Sequence, residues 1–383
     1  MKKICYVTTM YDAFYAFIKN TANYLQKEGD YEVSVIFSPT EKNTNIPNGF
    51  KYFPVKMERG FSWKEILSIY TMYKIIKKEK FDIVQYSTPN AAFAMSVASW
   101  LCRVPVRLYC QWGMVYVGYT GIKRWILYFL EWITCQLSTV IEPDSHSNRQ
   151  YAIKNRLYSQ SKSRVIWNGS ACGVDLEKFD VGKKEEWSRI VRNEYNIGMS
   201  DFVVGFIGRV QRDKGVNELL NAVKSANYDD NTKIFIVGNI EESRPLDRDL
   251  LEWAKKNKNI IFTGFTSCPE KFLAAFDLFV LPSYREGFGN VIIEAEAMEV
   301  PVIVTNIPGP VNAMVNFETG LVVEPRNSKQ LEMAITFLKK HKKMREEFGR
   351  NGGEYVRKNF DSKRLFEKIL KDRNMLLQGE KDV

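Results

Sequence analysis

Leu281-Pro282-Ser283-Tyr284-Arg285-Glu286-Gly287-Phe288-Gly289-Asn290-Val291-Ile292-Ile293-Glu294-Ala295-Glu296-Ala297 is the stretch that decides the fold. The run that ends at Leu281 is wholly apolar, a loop with two glycines follows, and a helical pattern starts near Gly289. An all-apolar strand suits a parallel sheet with both faces covered by helices. Ligands bind beyond the carboxyl ends of the strands in such sheets. Gly287 and Gly289 let backbone N–H groups come close to a ligand, and a helix N-terminus favours anions. Glu286 falls in the loop and Glu294 on the second turn of the helix. Carboxylates there repel phosphate and suit hydroxyl donors such as those of a sugar or ribose.

A second strand–loop–helix stretch lies upstream, Gly205-Phe206-Ile207-Gly208-Arg209-Val210-Gln211-Arg212-Asp213-Lys214-Gly215. Its Arg209 and Lys214 are cations placed to neutralise the charge of a diphosphate leaving group where no metal ion does so. The rest of the chain alternates short apolar, β-branched runs with longer amphipathic ones, the pattern of an α/β protein with parallel sheets. Expected strands are 4–8, 32–37, 81–86, 106–109, 139–141 and 165–167, then 203–207, 233–237, 260–263, 278–281, 302–305 and 321–323. Apolar periodicity lapses after Asp180, which predicts domains over 1–182 and 183–358. A final helix over 359–383, with Phe366, Ile369, Leu370, Leu376 and Leu377 as apolar points, is expected to cross back to the first domain.

The length of 383 residues fits two domains, and 45% hydrophobic with 26% charged residues is ordinary for a globular chain. Residues 1–182 hold 23 Lys+Arg against 15 Asp+Glu, a balance of +8 within the total of +10. An anionic partner near that half follows, with nucleic acid ranked last because no nucleic-acid-binding motif accompanies the charge. The six cysteines show no CxxC spacing, and the N-terminus reads as a strand rather than a signal peptide, so a cytoplasmic protein with reduced thiols is expected. Two segments, Ser62–Lys80 and Ile122–Ile133, interleave aromatic and apolar residues with Lys and Arg. They suit either helices packed on the sheet or the headgroup zone of an anionic bilayer, and neither is long enough to span one.

The sequence resembles the retaining glycosyltransferases of family 4, which have the GT-B fold of two Rossmann-like domains facing a central cleft. The segments that carry the resemblance are "GFIGRVQRDKGVNELLNAV", "FTGF", "LFVLPSYREGFGNVIIEAEAMEVPVIVTNIPG", "ETGLVVEP" and, more loosely, "NGSACGVDLEKF". Glu286 and Glu294 form the family's Glu-x7-Glu signature. The resemblance implies that Arg209 and Lys214 bind the donor diphosphate beside Gly208. It further implies that Glu286, Gly287 and the backbone at Phe288 and Gly289 hold the donor sugar, that Asn290 and Val291 lie near the phosphates, and that Glu294 binds the ribose. Gly264 and Phe265 are expected at the base pocket. No metal or other cofactor is expected.

The first half departs from the family pattern. Thr8-Thr9-Met10 stands where many members have a glycine pair, and Gln85, Ser87 and Trp112 stand where many have histidines. His146 and His341 read as surface residues, so no histidine base is apparent. Gln111, Trp112 and Tyr116, in the loop 111–121, are expected on the acceptor side. Asp247-Arg248-Asp249 matches a metal motif of another fold but reads as a solvated helix start.

A hexose or N-acetylhexosamine transferred from a nucleotide sugar, UDP-linked by preference, to a polyprenyl-diphosphate-linked or other saccharide is the expected reaction. Its expected place is the inner face of a bacterial membrane, in capsule or O-antigen synthesis. Three rivals stand beside it: a soluble family-4 transferase acting on a small acceptor, a sugar-nucleotide epimerase, and a non-catalytic sugar-nucleotide binder.

Overall fold

The computed structural model describes residues 1–40, 46–58 and 65–379. These form two compact units, the described parts of 1–172 with 363–379, and 173–362.

The first unit holds β1 (Lys2–Val7), α1 (Tyr11–Phe17), α2 (Lys19–Gly29), β2 (Tyr31–Phe37), β3 (Lys51–Pro54), α3 (Glu65–Glu79), β4 (Ile83–Tyr86), α4 (Pro89–Leu101), β5 (Val106–Gln111), α5 (Gly121–Leu137), β6 (Val140–Pro143) and α6 (His146–Lys154). Its six strands are parallel in the order β3-β2-β1-β4-β5-β6. One apolar cluster, with Val84, Tyr86, Met95, Tyr109 and Ile141, fills the face under α3, α4 and α5. Another, with Tyr6, Phe14, Val33 and Leu108, fills the opposite face.

The second unit holds α7 (Lys184–Glu194), β7 (Phe202–Ile207), α8 (Val216–Ala226), β8 (Thr232–Val237), α9 (Arg248–Lys256), β9 (Ile260–Gly264), α10 (Pro269–Ala275), β10 (Leu278–Leu281), α11 (Asn290–Ala297), β11 (Val302–Thr305), β12 (Gly320–Val323), α12 (Ser328–Lys340) and α13 (Lys342–Asn359). Its strand order, β12-β11-β10-β7-β8-β9, repeats the arrangement of the first sheet. The four-residue strands β10 and β11 are buried at every position, which is why their sequences are apolar without alternation.

The last helix, α14 (Ser362–Gln378), runs into the first unit, where Leu365 and Ile369 join the second of its clusters and Phe366 packs on Tyr24. A buried polar network holds it there. The Arg373 guanidinium donates from Nη1 to Glu142 Oε2 at 2.7 Å and from Nη2 to Glu142 Oε1 at 3.1 Å, a two-pronged pair joining α14 to β6. Arg373 also donates to Gln85 Oε1 at 3.2–3.3 Å and to Asp372. Asn374 Oδ1 accepts from Lys2 Nζ at 2.7 Å and Tyr31 OH at 2.9 Å.

Three expectations change. Residues 165–167 form no strand; the nearby parallel pairing is a single bridge, Ile141 with Ser163. The outer strand β3 is half-exposed and ends in proline, so it lacks the apolar signature of the interior strands. The division between units falls at Cys172 rather than after 182, because Val174 pairs beside Asp361 and its N–H bonds Phe360 O at 2.8 Å, tying residues 173–182 to the second unit.

Candidate active site

In a sheet of this order the chain reverses direction between the first and fourth strands, leaving a crevice at their carboxyl ends. In the second unit those strands are β7 and β10, which are neighbours. The loop after β7 carries Gly208–Lys214, and the loop after β10 carries Pro282–Gly289. The two stretches singled out in the sequence therefore flank one crevice.

They also meet there. Lys214 Nζ lies 2.5 Å from Glu286 Oε1, with the side chains 18% and 11% exposed. Ser283 Oγ donates to the same carboxylate oxygen at 2.7 Å, while the Ser283 carbonyl accepts from Thr305 Oγ1 at 2.5 Å. Hydrogen bonds to the ionised group fix the orientation of Glu286. Gly215, just after Lys214, has a φ of +70°, and a Cβ there would lie 1.9 Å from the Pro282 carbonyl oxygen. Only glycine lets the two loops pack this closely.

Asp213 binds the loops together from the other side. Its carboxylate pairs with Arg244 and, at 3.1 Å, with Arg285 Nε, and its carbonyl accepts the Tyr284 N–H at 2.9 Å. The Tyr284 hydroxyl donates to Glu218, and the Arg326 guanidinium sits 4.7 Å from the Tyr284 ring centre. None of these partners was legible in the sequence, since the contacts join residues as far apart as 72 positions.

Gly289 is the N-cap of α11 with φ +86°, and Phe288 is buried against Phe360, their ring centres 5.4 Å apart. Asn290 and Val291 open the helix, and its first turn carries no acid. Glu294 sits one turn further in, where burial pushes its carboxyl up to about 7; the Lys178 ammonium opposes the rise and Glu270 adds to it. Arg209 is exposed at the end of β7 beside Gly208. Gly264 ends β9, its carbonyl accepting the Gly238 N–H at 2.8 Å, and the Phe265 side chain is exposed while its N–H bonds Asn239 Oδ1 at 3.2 Å.

In the first unit, Gln111 is fully buried, donating from Nε2 to Glu131 Oε1 at 2.5 Å and accepting from Tyr158 OH at 2.9 Å. Tyr109 OH also donates to Glu131, at 2.9 Å, and burial pushes that carboxyl up to about 7 against those two hydrogen bonds. Tyr116 is buried edge-on to Tyr128. Trp112 alone of the three acceptor-side candidates keeps surface; it packs on Phe17 and borders a narrow polar hollow with Tyr6, Gln85 and Arg373. His146 and His341 are both exposed. Asp247 is the N-cap of α9, accepting the Leu250 N–H at 2.9 Å.

The comparisons with known proteins agree with this geometry. The model of the family described as glycosyl transferases group 1 matches residues 188–355, and that of glycosyl transferase 4-like proteins matches residues 3–142. A capsular polysaccharide biosynthesis glycosyltransferase, CapM of Staphylococcus aureus, is 31% identical over 358 residues, covering 92% of each chain. The UDP-Gal:α-D-GlcNAc-diphosphoundecaprenol α-1,3-galactosyltransferase of Escherichia coli is 27% identical, covering 68% of this chain and 67% of its own. Among solved structures, Anabaena HepE in complex with UDP and glucose superposes with a TM-score of 0.78 at 17% identity, covering 98% of this chain and 100% of that one. The chain belongs to the family-4 type of glycosyltransferases on the GT-B fold, and is a glycosyltransferase of bacterial polysaccharide biosynthesis.

Proposed function

We propose that the chain is a metal-independent, retaining transferase that moves a hexose or N-acetylhexosamine from a UDP-sugar to a polyprenyl-diphosphate-linked saccharide, working on the inner face of the cytoplasmic membrane. The observation that carries the reading is the Lys214–Glu286 pair at the crevice of the second sheet. An ammonium has three donors. Lys214 can therefore stay on Glu286 and still reach a diphosphate oxygen, with Arg209 as the second cation. Glu286 and the glycine-flanked backbone at Phe288 and Gly289 hold the sugar, Asn290 and Val291 at the start of α11 face the phosphates, and Glu294 accepts from the ribose hydroxyls. Gly264 and Phe265 border the base.

The bond from the anomeric carbon to the diphosphate oxygen breaks as the acceptor oxygen bonds to the same face of that carbon. The acceptor proton passes to the departing phosphate oxygen, so no histidine base is required. Arg209 and Lys214 stabilise the charge that develops on the leaving group. The E. coli relative, whose name specifies UDP-Gal and a diphosphoundecaprenol-linked acceptor, and the UDP complex of HepE support the choice of donor and acceptor.

The test is slow hydrolysis and thermal stabilisation with UDP-, GDP-, ADP- and TDP-sugars in the presence of EDTA. A response to UDP-sugars that disappears in Lys214→Ala and Glu286→Ala is expected. A response that requires a divalent cation, or that survives both substitutions, overturns the assignment.

A further inference from the structure

The outer face of α5 carries Ile122, Trp125, Ile126, Phe129 and Trp132, at positions i, i+3, i+4, i+7 and i+10 of one stripe. All are exposed, Ile122 at 79% and Trp125 at 71%. The opposite face is packed, with Glu131, Thr134 and Cys135 buried and Leu127 and Tyr128 against the core. The Phe129 and Trp132 rings stack at 6.0 Å, forming a firm ridge.

Charge indicates what covers this ridge. Between Ile83 and Ile141 the chain contains one carboxylate, the buried Glu131, and residues 145–174 contain none. Lys123 and Arg124 are exposed at the start of α5. The Tyr128 hydroxyl bonds Asn155 O at 2.8 Å, which brings Lys154 and Arg156 beside the helix, and Lys162 Nζ bonds Gln136 O at 2.8 Å. A second copy of the chain would bring an identical cationic rim against this one. An anionic bilayer complements both the rim and the aromatic ridge. No helix among the described residues is long and apolar enough to cross a membrane. The stripe instead suits a helix lying in the interfacial plane.

We infer that α5 is a membrane-docking element whose ridge enters the headgroup zone of an anionic phospholipid bilayer. α3 extends the surface: like α5 it packs on α4, and Ile66, Leu67 and Tyr70 are exposed on its N-terminal half, ahead of Lys74, Lys77 and Lys78. Residues 62–64, including Trp63 and Lys64 of that segment, lie outside the described residues. α3 follows β3 and α5 follows β5, so both helices begin at the carboxyl edge of the first sheet, where parallel sheets take their ligands. Resting on the function proposed above, this docking delivers a lipid-borne acceptor to that edge.

The test is co-sedimentation of the full chain with phosphatidylglycerol and with phosphatidylcholine vesicles. Wild type is expected to bind the anionic vesicles, more weakly as salt rises. Trp125→Ser with Phe129→Ser is expected to cut partitioning at least about tenfold, with nucleotide-sugar binding unchanged. Lys123→Gln with Arg124→Gln is expected to weaken binding to the anionic vesicles only. Equal vesicle binding by wild type and the Trp125/Phe129 variant, or no binding by either, overturns the inference, as does a wild-type dimer that this variant splits. Vesicle binding through the ridge without sugar transfer to a lipid-linked acceptor would contradict the proposed function and leave the docking surface standing; transfer without vesicle binding would do the reverse.

Discussion

The two sheets share one strand order and differ in what stands at the break in it. In the second unit the crevice between β7 and β10 is edged by Lys214, Glu286, Asp213 and Arg285. In the first unit the corresponding strands are β1 and β4, and the loops after them meet through hydroxyls. The Thr9 N–H and Thr9 Oγ1 lie 2.9 Å and 2.8 Å from Thr88 Oγ1, with Thr88 held at φ +66°. Charge in the first unit is instead buried beneath α14, in the Arg373–Glu142 pair. The same topology thus fixes a helix with its ions in one unit and lines a crevice with them in the other, which is how one architecture can host different sites.

Removing Arg373 strikes this division hardest. Arg373→Ala removes a buried guanidinium, leaves the half-buried Glu142 and the buried Asp372 without it, and is expected to cost about 3–5 kcal/mol in denaturant unfolding. Nucleotide-sugar affinity of the folded protein should stay as in wild type; an equal loss of affinity would break the comparison. Next comes the second crevice. Lys214→Ala and Glu286→Ala are each expected to slow transfer by about 100- to 1,000-fold, the usual scale for losing one preorganised charge at a reacting centre. Because the two side chains touch, the double variant should be far less impaired than the product of the singles.

A smaller effect concerns pH. Burial raises Glu294 to about 7, so the charged form proposed to accept from the ribose is lost as pH falls through that value. Donor affinity should drop by up to about tenfold per pH unit below it, and Glu294→Gln should flatten the profile. The linkage to folding has the opposite sign. The folded protein holds this proton above the ordinary carboxylate range, so its share of stability is full below about 4.5 and is lost as pH rises through about 7. Smallest is Thr88→Val, which removes the acceptor of the Thr9 N–H. A loss of about 0.5–1 kcal/mol in stability is expected, with donor affinity intact by calorimetry.

The second unit was largely legible because most of its strands, β10 and β11 above all, are buried on both faces and read as apolar runs, each bounded by a loop. Its crevice was legible through Gly208–Lys214 and Glu286–Glu294, although which side chains touch was not. Ion pairs such as Lys214 with Glu286 leave no local periodicity, and Asp213 reads in isolation as a loop acid. The first unit hid more. β3 has only four residues, none of them buried, and 165–167 is apolar enough to suggest a strand yet makes no ladder. Gln111 looked like a polar group offered to an acceptor; the fold turns it inward onto Glu131 and Tyr158. The anchoring of α14 was visible only as apolar points, because its buried polar network depends on residues from β1, β2, β4 and β6.

Calorimetric titration of UDP and a UDP-sugar into the full chain in EDTA, with Lys214→Ala beside wild type, tests most directly whether the second crevice is a metal-free nucleotide-sugar site. Binding by wild type, weakened at least about tenfold in the variant, is the predicted result. Equal binding by the two proteins, or binding by wild type only when a divalent cation is restored, would contradict it.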